Sequence, residues 1–125
     1  MQSNQIYAIG KFSTLVSLSI DTLRYYEKEC LLKPKRDINN RRMYDDTDIV
    51  WVEFLKRLKQ TGMPIQKMKT YAQLRYAGDS TVKKRYDLLA EQQQLLLNKQ
   101  QEINQHLAFL EEKLQTYQQM MDTTN

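Results

Sequence analysis

The spacing of apolar residues changes character once along the chain, near residue 79. Before that point apolar positions recur every three or four residues in short runs, which Pro34, Gly62 and Pro64 separate. Such runs predict several short helices packed on one core. Residues 81–119 contain no Gly or Pro, and apolar residues return there every seven positions. We therefore predict a mainly α fold with a compact domain over 1–78 and a long dimerisation helix over 79–125 with a frayed C-terminus.

The first two predicted helices have the signature of a helix-turn-helix. Ile9, Phe12 and Val16 lie at helical spacing, and a turn over residues 17–18 leads to a second helix that Ser19 caps. A serine hydroxyl at this position accepts a hydrogen bond from a backbone N–H that has no partner in the first turn. Two short helices joined in this way are typical of DNA-binding proteins.

Two further helices complete the predicted domain. Asp45, followed by Asp48, resembles a capping arrangement for a third helix that runs to about Thr61. Trp51 lies in one of the two apolar rows of this helix, which favours a core position over a binding role. A fourth helix is predicted over residues 65–77, between a proline that opens it and a glycine that ends it.

The outer face of the second helix carries residues that suit a DNA groove. Arg24, Tyr25 and Lys28 lie on neighbouring outward rows. An arginine reaches a phosphate or a guanine edge, and a tyrosine binds a phosphate or packs on a thymine methyl group. The alternative is an ordinary solvated helix in which Arg24 pairs with Asp21.

A basic loop follows the second helix and contains five cations and a single aspartate. Pro34 prevents the helix from continuing, and the Asn-Asn pair at 39–40 predicts a turn, because asparagine tolerates positive φ. We therefore predict a small hairpin, a wing, that presents Arg41, Arg42 and Tyr44 beside the second helix. Phosphate contact is its favoured role. The five cations are Lys33, Lys35, Arg36, Arg41 and Arg42.

The distribution of charge agrees with a nucleic-acid partner. Residues 1–70 hold 13 Lys and Arg against 8 Asp and Glu, a net charge of +5. Residues 71–125 hold 6 against 7, a net charge of −1. The basic surplus therefore belongs to the predicted domain, where double-stranded DNA would bind.

The long helix has two rows of mainly apolar residues. Each row repeats every seven residues for five further heptads, which is a strong coiled-coil pattern. At 1.5 Å per residue this helix is roughly 58 Å long and cannot bury its rows on so small a domain, so we expect a homodimer. Gln93 and Gln100 interrupt one row and favour one alignment of the partners. An intramolecular hairpin would need a turn residue, which the segment lacks. The predicted dimerisation residues are Val82, Tyr86, Leu89, Leu96, Ile103, Leu107, Leu110, Leu114 and Tyr117.

Several classes of protein are not indicated. The single cysteine, Cys30, permits no internal disulfide, and His106 alone predicts no metal site. The sequence has no nucleophile triad, paired carboxylates or glycine-rich phosphate loop, so we expect neither an enzyme nor a cofactor. No apolar run reaches the roughly 20 residues of a membrane span, and no signal peptide opens the chain. We therefore expect a cytoplasmic protein associated with the nucleoid.

Four short motifs occur in order along the first domain. They are Tyr7-Ala8-Ile9-Gly10, Thr22-Leu23-Arg24-Tyr25-Tyr26-Glu27, Leu31-Leu32-Lys33-Pro34 and Arg42-Met43-Tyr44. The set resembles the MerR family of bacterial transcription regulators, and the similarity runs through essentially the whole chain. The motifs at 51–56, 61–63 and 78–81 further resemble the branch that responds to aldehydes and thiol-reactive stress, the AdhR/NmlR-like group.

The resemblance implies a winged helix-turn-helix DNA-binding domain with a helical extension over 1–78, and a homodimer joined by an antiparallel coiled coil. It implies binding to an imperfect palindrome in a promoter spacer that is too long for RNA polymerase to use both promoter elements. The dimer would bend and untwist this DNA so that RNA polymerase can use both promoter elements. The predicted DNA-binding residues are Ser19, Asp21, Thr22, Arg24, Tyr25, Tyr26, Lys28, Arg41, Arg42, Tyr44 and Lys59.

Three departures from the family pattern affect the expected sensing mechanism. Arg57 replaces the characteristic cysteine of the branch, and arginine cannot perform thiol chemistry. Cys30 stands where the family has glycine, so we expect left-handed backbone angles there at a cost of about 1 kcal/mol. Because it faces DNA near Lys28 and Lys33, Cys30 is a candidate redox sensor, with an inert thiol as the alternative. Asn40 replaces a wing glycine, which the turn chemistry tolerates.

Two other functions stay open at this point. One is a non-inducible architectural protein that bends DNA, similar to excisionase-type winged-helix proteins. The other is a coiled-coil adaptor whose basic domain binds an acidic protein. The inducer, the operator and the choice between activation and repression are not specified by the sequence.

Overall fold

Five α-helices and one two-stranded hairpin lie along residues 5–124, which the computed structural model describes. In chain order they are α1 (Ile9–Val16), α2 (Ile20–Lys28), β1 (Lys35–Arg36), β2 (Arg42–Met43), α3 (Asp46–Gln60), α4 (Ile65–Ala77) and α5 (Val82–Thr123), with a 3₁₀ turn at Asp79–Thr81 before α5. This order confirms the predicted winged helix-turn-helix followed by a long helix. The chain forms two compact units, the first ending at Leu88 and the second beginning at Leu89.

α1 and α2 are joined by a serine-rich turn. Ser17 ends α1 in the left-handed region, with φ at +55°. The Oγ of Ser13 donates to the carbonyl oxygen of Leu18. Ser19 then caps α2, as predicted, because its Oγ accepts from the backbone N–H of Thr22 at 3.0 Å.

α2 ends in a Schellman motif centred on Cys30. The N–H of Leu31 donates to the carbonyl of Tyr26 at 2.9 Å, and the N–H of Cys30 donates to the carbonyl of Glu27 at 3.0 Å. Cys30 holds φ at +61°. This angle confirms the predicted left-handed conformation at a position that favours glycine. The fully buried Leu31 and Leu32 then take the chain into the core.

The predicted wing is present as a short antiparallel hairpin. β1 and β2 pair in a register that sets Arg36 opposite Arg42. In the turn between them, Asp37 Oδ1 accepts from the backbone N–H of Arg41 at 2.8 Å. Asn40 occupies φ +61°, which confirms the turn chemistry expected of the asparagine pair.

The end of the wing is anchored to the segment before α1 by a bridge that the sequence did not predict. Tyr7 and Tyr44 exchange two backbone hydrogen bonds, of 2.7 and 2.9 Å. The hydroxyl of Tyr7 also donates to Asp46 Oδ1 at 2.7 Å. This bond raises the pKa of Tyr7, because ionised Tyr7 would lose it and face the carboxylate. The wing, α1 and α3 are therefore tied together at this point.

Trp51 is a core residue, as predicted, and is only 4% exposed. Its Nε1–H donates to the carbonyl oxygen of Leu31 at 2.8 Å. Its ring stacks on Tyr71 with centroids 6.1 Å apart, and the guanidinium carbon of Arg75 lies 4.4 Å from its centroid. Aromatic and cation–π contacts of this kind add to the energy of apolar burial. Trp51 thus joins α3 to α4.

α3 begins with the predicted cap, which is a complete capping box. Asp45 Oδ1 accepts from the N–H of Asp48 at 3.1 Å, and Asp48 Oδ2 accepts from the N–H of Asp45 at 3.0 Å. Hydrogen bonding, first from the Thr47 hydroxyl, lowers the pKa of Asp45. Burial raises the pKa of Asp48. α3 ends at Gln60 and α4 spans Ile65–Ala77, so the predicted bounds of both helices are confirmed.

α5 is one uninterrupted helix of 42 residues. Most of the predicted dimerisation residues expose 40% or more of their surface in the single chain; these are Val82, Tyr86, Leu96, Ile103, Leu107, Leu110, Leu114 and Tyr117. Exposed apolar rows of this length are rare in monomers, although the pairing of α5 stays a prediction. The predicted frayed C-terminus includes Asn125, which lies outside the described residues. Along residues 5–124, no helix combines the length and apolar character that a membrane span requires.

Candidate nucleic-acid interface

α2 presents a polar face that carries the predicted recognition residues. Leu23 and Tyr26 are buried, whereas Arg24, Tyr25 and Lys28 are exposed. Residues three and four apart are neighbours on a helix, so the exposed side chains form one surface. This surface offers a guanidinium, a phenol and an ammonium group to a ligand.

The ion pair required by the solvated-helix alternative is present but weak. Arg24 Nη1 lies 3.8 Å from Asp21 Oδ1, and the two side chains are 58% and 95% exposed. Exposed pairs of this kind contribute roughly 0–1 kcal/mol. Arg24 can therefore exchange Asp21 for a phosphate or a base edge at little cost.

Ser19 and Thr22 hold the start of α2. Their hydroxyl oxygens lie 2.8 Å apart, and Ser19 Oγ also accepts from the Thr22 backbone. The geometry accounts for Ser19 as the helix cap and for Thr22 as its partner. A DNA contact by either residue stays a prediction.

The arginines of the wing have different surroundings. Arg41 is exposed at the hairpin turn. Arg42 is only partly exposed, and its Nε–H donates to Glu27 Oε1 at 2.6 Å. Arg36 Nη2 donates to the other oxygen, Glu27 Oε2, also at 2.6 Å. Arg42 is thus held by α2, a constraint that the predicted wing contact did not include.

Tyr44 is not on the DNA-facing surface, and its predicted role as a wing contact is wrong. Its side chain has no exposed surface. Its ring stacks on Phe12 with centroids 4.1 Å apart and planes within 8°. Burial raises the pKa of Tyr44 to about 12, and its hydroxyl has no hydrogen-bond partner among residues 5–124. The physical reason for the correction is the bridge to Tyr7, which directs this residue into the core.

Tyr25, Tyr26 and Lys59 meet at a cavity of about 150 Å³. Lys59 is exposed, as a phosphate contact requires. Tyr26 is 4% exposed, and burial raises its pKa. The structure thus brings Tyr25 and Lys59 together at this cavity, and Tyr26 is a largely buried residue that forms one of its walls. The contact of these three residues with DNA stays a prediction.

The loop after α2 is fixed to α4 by contacts that the sequence pattern did not indicate. The backbone N–H of Lys33 donates to the hydroxyl of Tyr76 at 3.0 Å, and Lys33 Nζ lies 5.3 Å from the centre of the same ring. Glu29 Oε2 lies 3.1 Å from Lys69 Nζ. Cys30 lies between these two anchors with an exposed thiol. A small oxidant can therefore reach the thiol without opening the fold.

Lys56 has a structural role that the sequence pattern did not indicate. Its Nζ donates to the carbonyl oxygen of Val16 at 2.7 Å and lies 3.4 Å from Glu53 Oε1. A cation at this position satisfies a helix-terminal carbonyl and suits the negative end of the helix dipole. α3 therefore supplies the C-terminal cap of α1.

The chain is similar in sequence to a family of transcription regulators. The profile described as MerR HTH family regulatory protein matches residues 7–74. An uncharacterised HTH-type transcriptional regulator of Haemophilus influenzae is 34% identical over 113 residues, which are 90% of this chain and 84% of the relative. The transcriptional regulator AdhR of Bacillus subtilis is 38% identical over 90 residues, which are 71% of this chain and 64% of AdhR. These relatives are named as regulators rather than as enzymes.

Two solved structures share the fold over most of its length. HiNmlR is a MerR family regulator lacking the sensor domain, and its crystal structure is of the protein bound to promoter DNA. It matches with a TM-score of 0.72 and 34% identity over 92% of each chain. A MerR family regulator of Listeria monocytogenes matches with a TM-score of 0.74 and 28% identity, over 89% of this chain and 85% of that chain.

Proposed function

The chain belongs to the MerR family of helix-turn-helix regulatory proteins, and from this we propose that it is a transcriptional regulator that binds promoter DNA as a homodimer. The family assignment confirms the resemblance drawn from the four motifs of the first domain. The similarity to AdhR and to HiNmlR agrees with the branch identified from the later motifs.

One observation supports DNA binding above the others. The exposed residues Arg24, Lys28 and Arg41 belong to α2 and the wing of a domain that carries the basic surplus of the chain. HiNmlR, which is 34% identical and similar over 92% of its length, is bound to promoter DNA. Cations on a groove-sized helix and an adjacent hairpin supply the phosphate contacts that DNA affinity requires.

We assign the contacts according to exposure. Arg24 and Tyr25 enter the major groove from α2, where a guanidinium can read a guanine edge. Lys28, Arg41 and Lys59 bind phosphates, which sets the position of the domain without reading sequence. The start of α2 is ordered by Ser19, Asp21 and Thr22. These residues therefore act on DNA binding indirectly.

The exposed apolar rows of α5 support the proposed homodimer. A second copy of the chain covers these rows as an antiparallel coiled coil. Two identical domains related by a twofold axis require an operator with two similar half-sites, an imperfect palindrome. We infer that this operator lies in a promoter spacer, and that the dimer bends and untwists it so that RNA polymerase engages both promoter elements.

The proposal is tested by measuring the affinity of the purified protein for the promoter upstream of its own gene and for a scrambled duplex, from roughly 50 to 200 mM salt, a range over which counterion release changes affinity strongly. We expect a preference for the promoter and a logarithm of affinity that falls linearly with the logarithm of salt concentration. Arg24→Ala should lower promoter affinity about tenfold. The control Lys84→Ala removes one exposed cation from α5 and should leave promoter affinity unchanged.

Two results would contradict this function. Equal promoter affinity of Arg24→Ala and the wild-type protein would exclude the assigned face of α2. Absence of any complex at low salt would favour the alternative of a coiled-coil adaptor for an acidic protein.

A redox role for Cys30 is a second proposal, which its exposed thiol favours. In vitro transcription with and without diamide or an aldehyde, on wild-type protein and Cys30→Ser, provides the test. A response lost in Cys30→Ser supports the role, and an identical response in both proteins excludes it. No response in either protein would indicate the non-inducible architectural function.

A further inference from the structure

Glu27 connects the two elements of the proposed DNA-binding surface. Its Oε1 accepts from Arg42 Nε and its Oε2 accepts from Arg36 Nη2, each at 2.6 Å. The two arginines face each other across the β1–β2 hairpin. A single carboxylate on α2 therefore holds both strands of the wing.

The ion pairs of this cluster are shorter and less exposed than the pair of Arg24 with Asp21. The side chains of Glu27, Arg42 and Arg36 are 26%, 24% and 35% exposed, respectively. Both hydrogen bonds are short and charge-assisted, which places them among the stronger bonds of a protein surface. The pair of Arg24 with Asp21 is longer, at 3.8 Å, and far more exposed. DNA would displace that pair more easily than the bonds to Glu27.

Arg42 uses only one edge of its guanidinium in this cluster. The bond to Glu27 is made through Nε, and among residues 5–124 the two terminal nitrogens of Arg42 make no hydrogen bond. A guanidinium carries five N–H donors in a fixed plane, so the terminal nitrogens can bind a second acceptor while Nε stays on Glu27.

The backbone next to Arg42 is also fixed. Tyr44, two residues on, exchanges backbone hydrogen bonds with Tyr7 and is fully buried. With the backbone held there, the direction of the long Arg42 side chain depends on its partner, because an unpaired arginine samples many rotamers.

We propose that Glu27 is a positioning residue of the DNA-binding surface, which holds Arg42, together with Arg36, so that their remaining N–H groups meet a phosphate of the operator. The proposal rests on the DNA-binding function above. Glu27 itself repels phosphate, so removing its charge raises affinity for any duplex. Losing the arrangement removes a phosphate contact and lowers affinity. The sign of the change in operator affinity therefore separates positioning from simple charge.

The experiment compares Glu27→Gln with Glu29→Gln in the full-length protein. Both substitutions remove one negative charge from the end of α2, but Glu29 pairs with Lys69 of α4 rather than with the wing. Affinities for operator and scrambled duplexes are measured over a salt series. For Glu27→Gln we expect operator affinity to fall about tenfold, as when a charge-assisted hydrogen bond is lost. The salt slope of operator binding should fall by about 1, since one phosphate contact contributes about 0.9. Glu29→Gln should not lower operator affinity and should leave the slope unchanged.

A double-mutant cycle tests whether Glu27 acts through Arg42. Arg42→Gln should reduce the salt slope as Glu27→Gln does, and the double variant should show no further reduction. Additive effects on the slope would overturn the proposal. A lower melting temperature of Glu27→Gln with unchanged operator affinity and slope would also overturn it, because the role would then be structural only.

The outcomes separate this proposal from the function on which it rests. A wild-type protein without preference for the operator would overturn DNA-binding regulation and the role of Glu27 with it. Operator preference in the wild type, with operator affinity that neither Glu27→Gln nor Glu29→Gln lowers, would overturn the role of Glu27 alone.

Discussion

Replacement of Cys30 by glycine is expected to stabilise the protein. Cys30 holds φ at +61° at the end of α2, in a region where a Cβ atom meets the following carbonyl oxygen and glycine does not. The side chain is exposed, and its Sγ lies 4.0 Å from the carbonyl oxygen of Lys28, which is a weak contact. Removing the side chain therefore relieves backbone strain and sacrifices little packing.

The size of the effect is the difference of two terms. A residue other than glycine in the left-handed region costs about 1–2 kcal/mol. Glycine increases the freedom of the unfolded chain, which offsets about 0.4–1 kcal/mol of that gain. The net stabilisation of Cys30→Gly is then about 0.8 kcal/mol, within a range of about 0–1.6 kcal/mol. The matched control is Cys30→Ala, which removes the sulfur and retains the Cβ, so its stability should stay within about 0.5 kcal/mol of the wild type.

Urea unfolding of the three proteins measures this difference. All three must be compared at one protein concentration, because association of a dimer contributes to its stability. We expect a higher midpoint for Cys30→Gly, with the denaturant slope unchanged, and coincident midpoints for Cys30→Ala and the wild type. A midpoint of Cys30→Gly at or below that of Cys30→Ala would refute the reasoning, since the left-handed angle would then carry no cost.

Three further predictions concern the capping box, the core and the dimer. Asp45→Asn should lower the free energy of unfolding at pH 7, because the pKa of Asp45 is lowered in the folded state. The difference from the wild type should disappear as pH falls below the ordinary pKa of 3.8. Urea unfolding at a series of pH values from neutral to acidic measures this. Trp51→Phe should cost about 1–3 kcal/mol, because the Leu31 carbonyl loses its donor; unchanged urea stability would contradict this. Leu110→Lys should dissociate the dimer in analytical ultracentrifugation. The control Val50→Lys changes an apolar residue of α3 that is 71% exposed, and it should leave the dimer intact. A dimer that survives Leu110→Lys would exclude the α5 interface.

Features that depend on neighbouring residues were predictable from the sequence. The caps at Ser19 and Asp45 each need a partner only three residues away, and both are present. The positive φ angle of Asn40 follows from an equally local rule, whereas that of Cys30 was expected because the family has glycine at this position. The left-handed angle of Ser17 was not predicted, because serine carries no such preference in its own right.

Features that depend on distant residues were not predictable. Glu27 meets Arg36 and Arg42, which are 9 and 15 residues further along the chain. Lys56 meets the Val16 carbonyl across 40 residues. Sequence spacing shows that a loop is basic, but it does not show which cations a distant carboxylate or carbonyl will engage. The cations of the wing therefore looked equivalent until the fold separated them.

Tyr44 shows how this limit affects a functional prediction. A tyrosine two residues after a wing arginine suits a phosphate contact, and the family pattern assigns it one. Its burial depends on Tyr7 and on Phe12, which lie more than 30 residues earlier. The large apolar area of a tyrosine favours the core whenever such partners are within reach. The family motif identified Tyr44 as a residue of the DNA-binding domain, but the motif alone does not show whether its side chain contacts DNA or packs in the core beneath the DNA-binding surface.

The same distinction limits what net charge says about DNA binding. The first 70 residues carry +5, yet counterion release counts only those cations that reach a phosphate. Lys56 is committed to the end of α1, and Arg36 and Arg42 share one carboxylate. Arg24 and Arg41 are exposed and can engage DNA at a lower free-energy cost. The salt dependence of operator binding should therefore follow the positioned and exposed cations, which the fold selects, rather than the number of basic residues in the sequence.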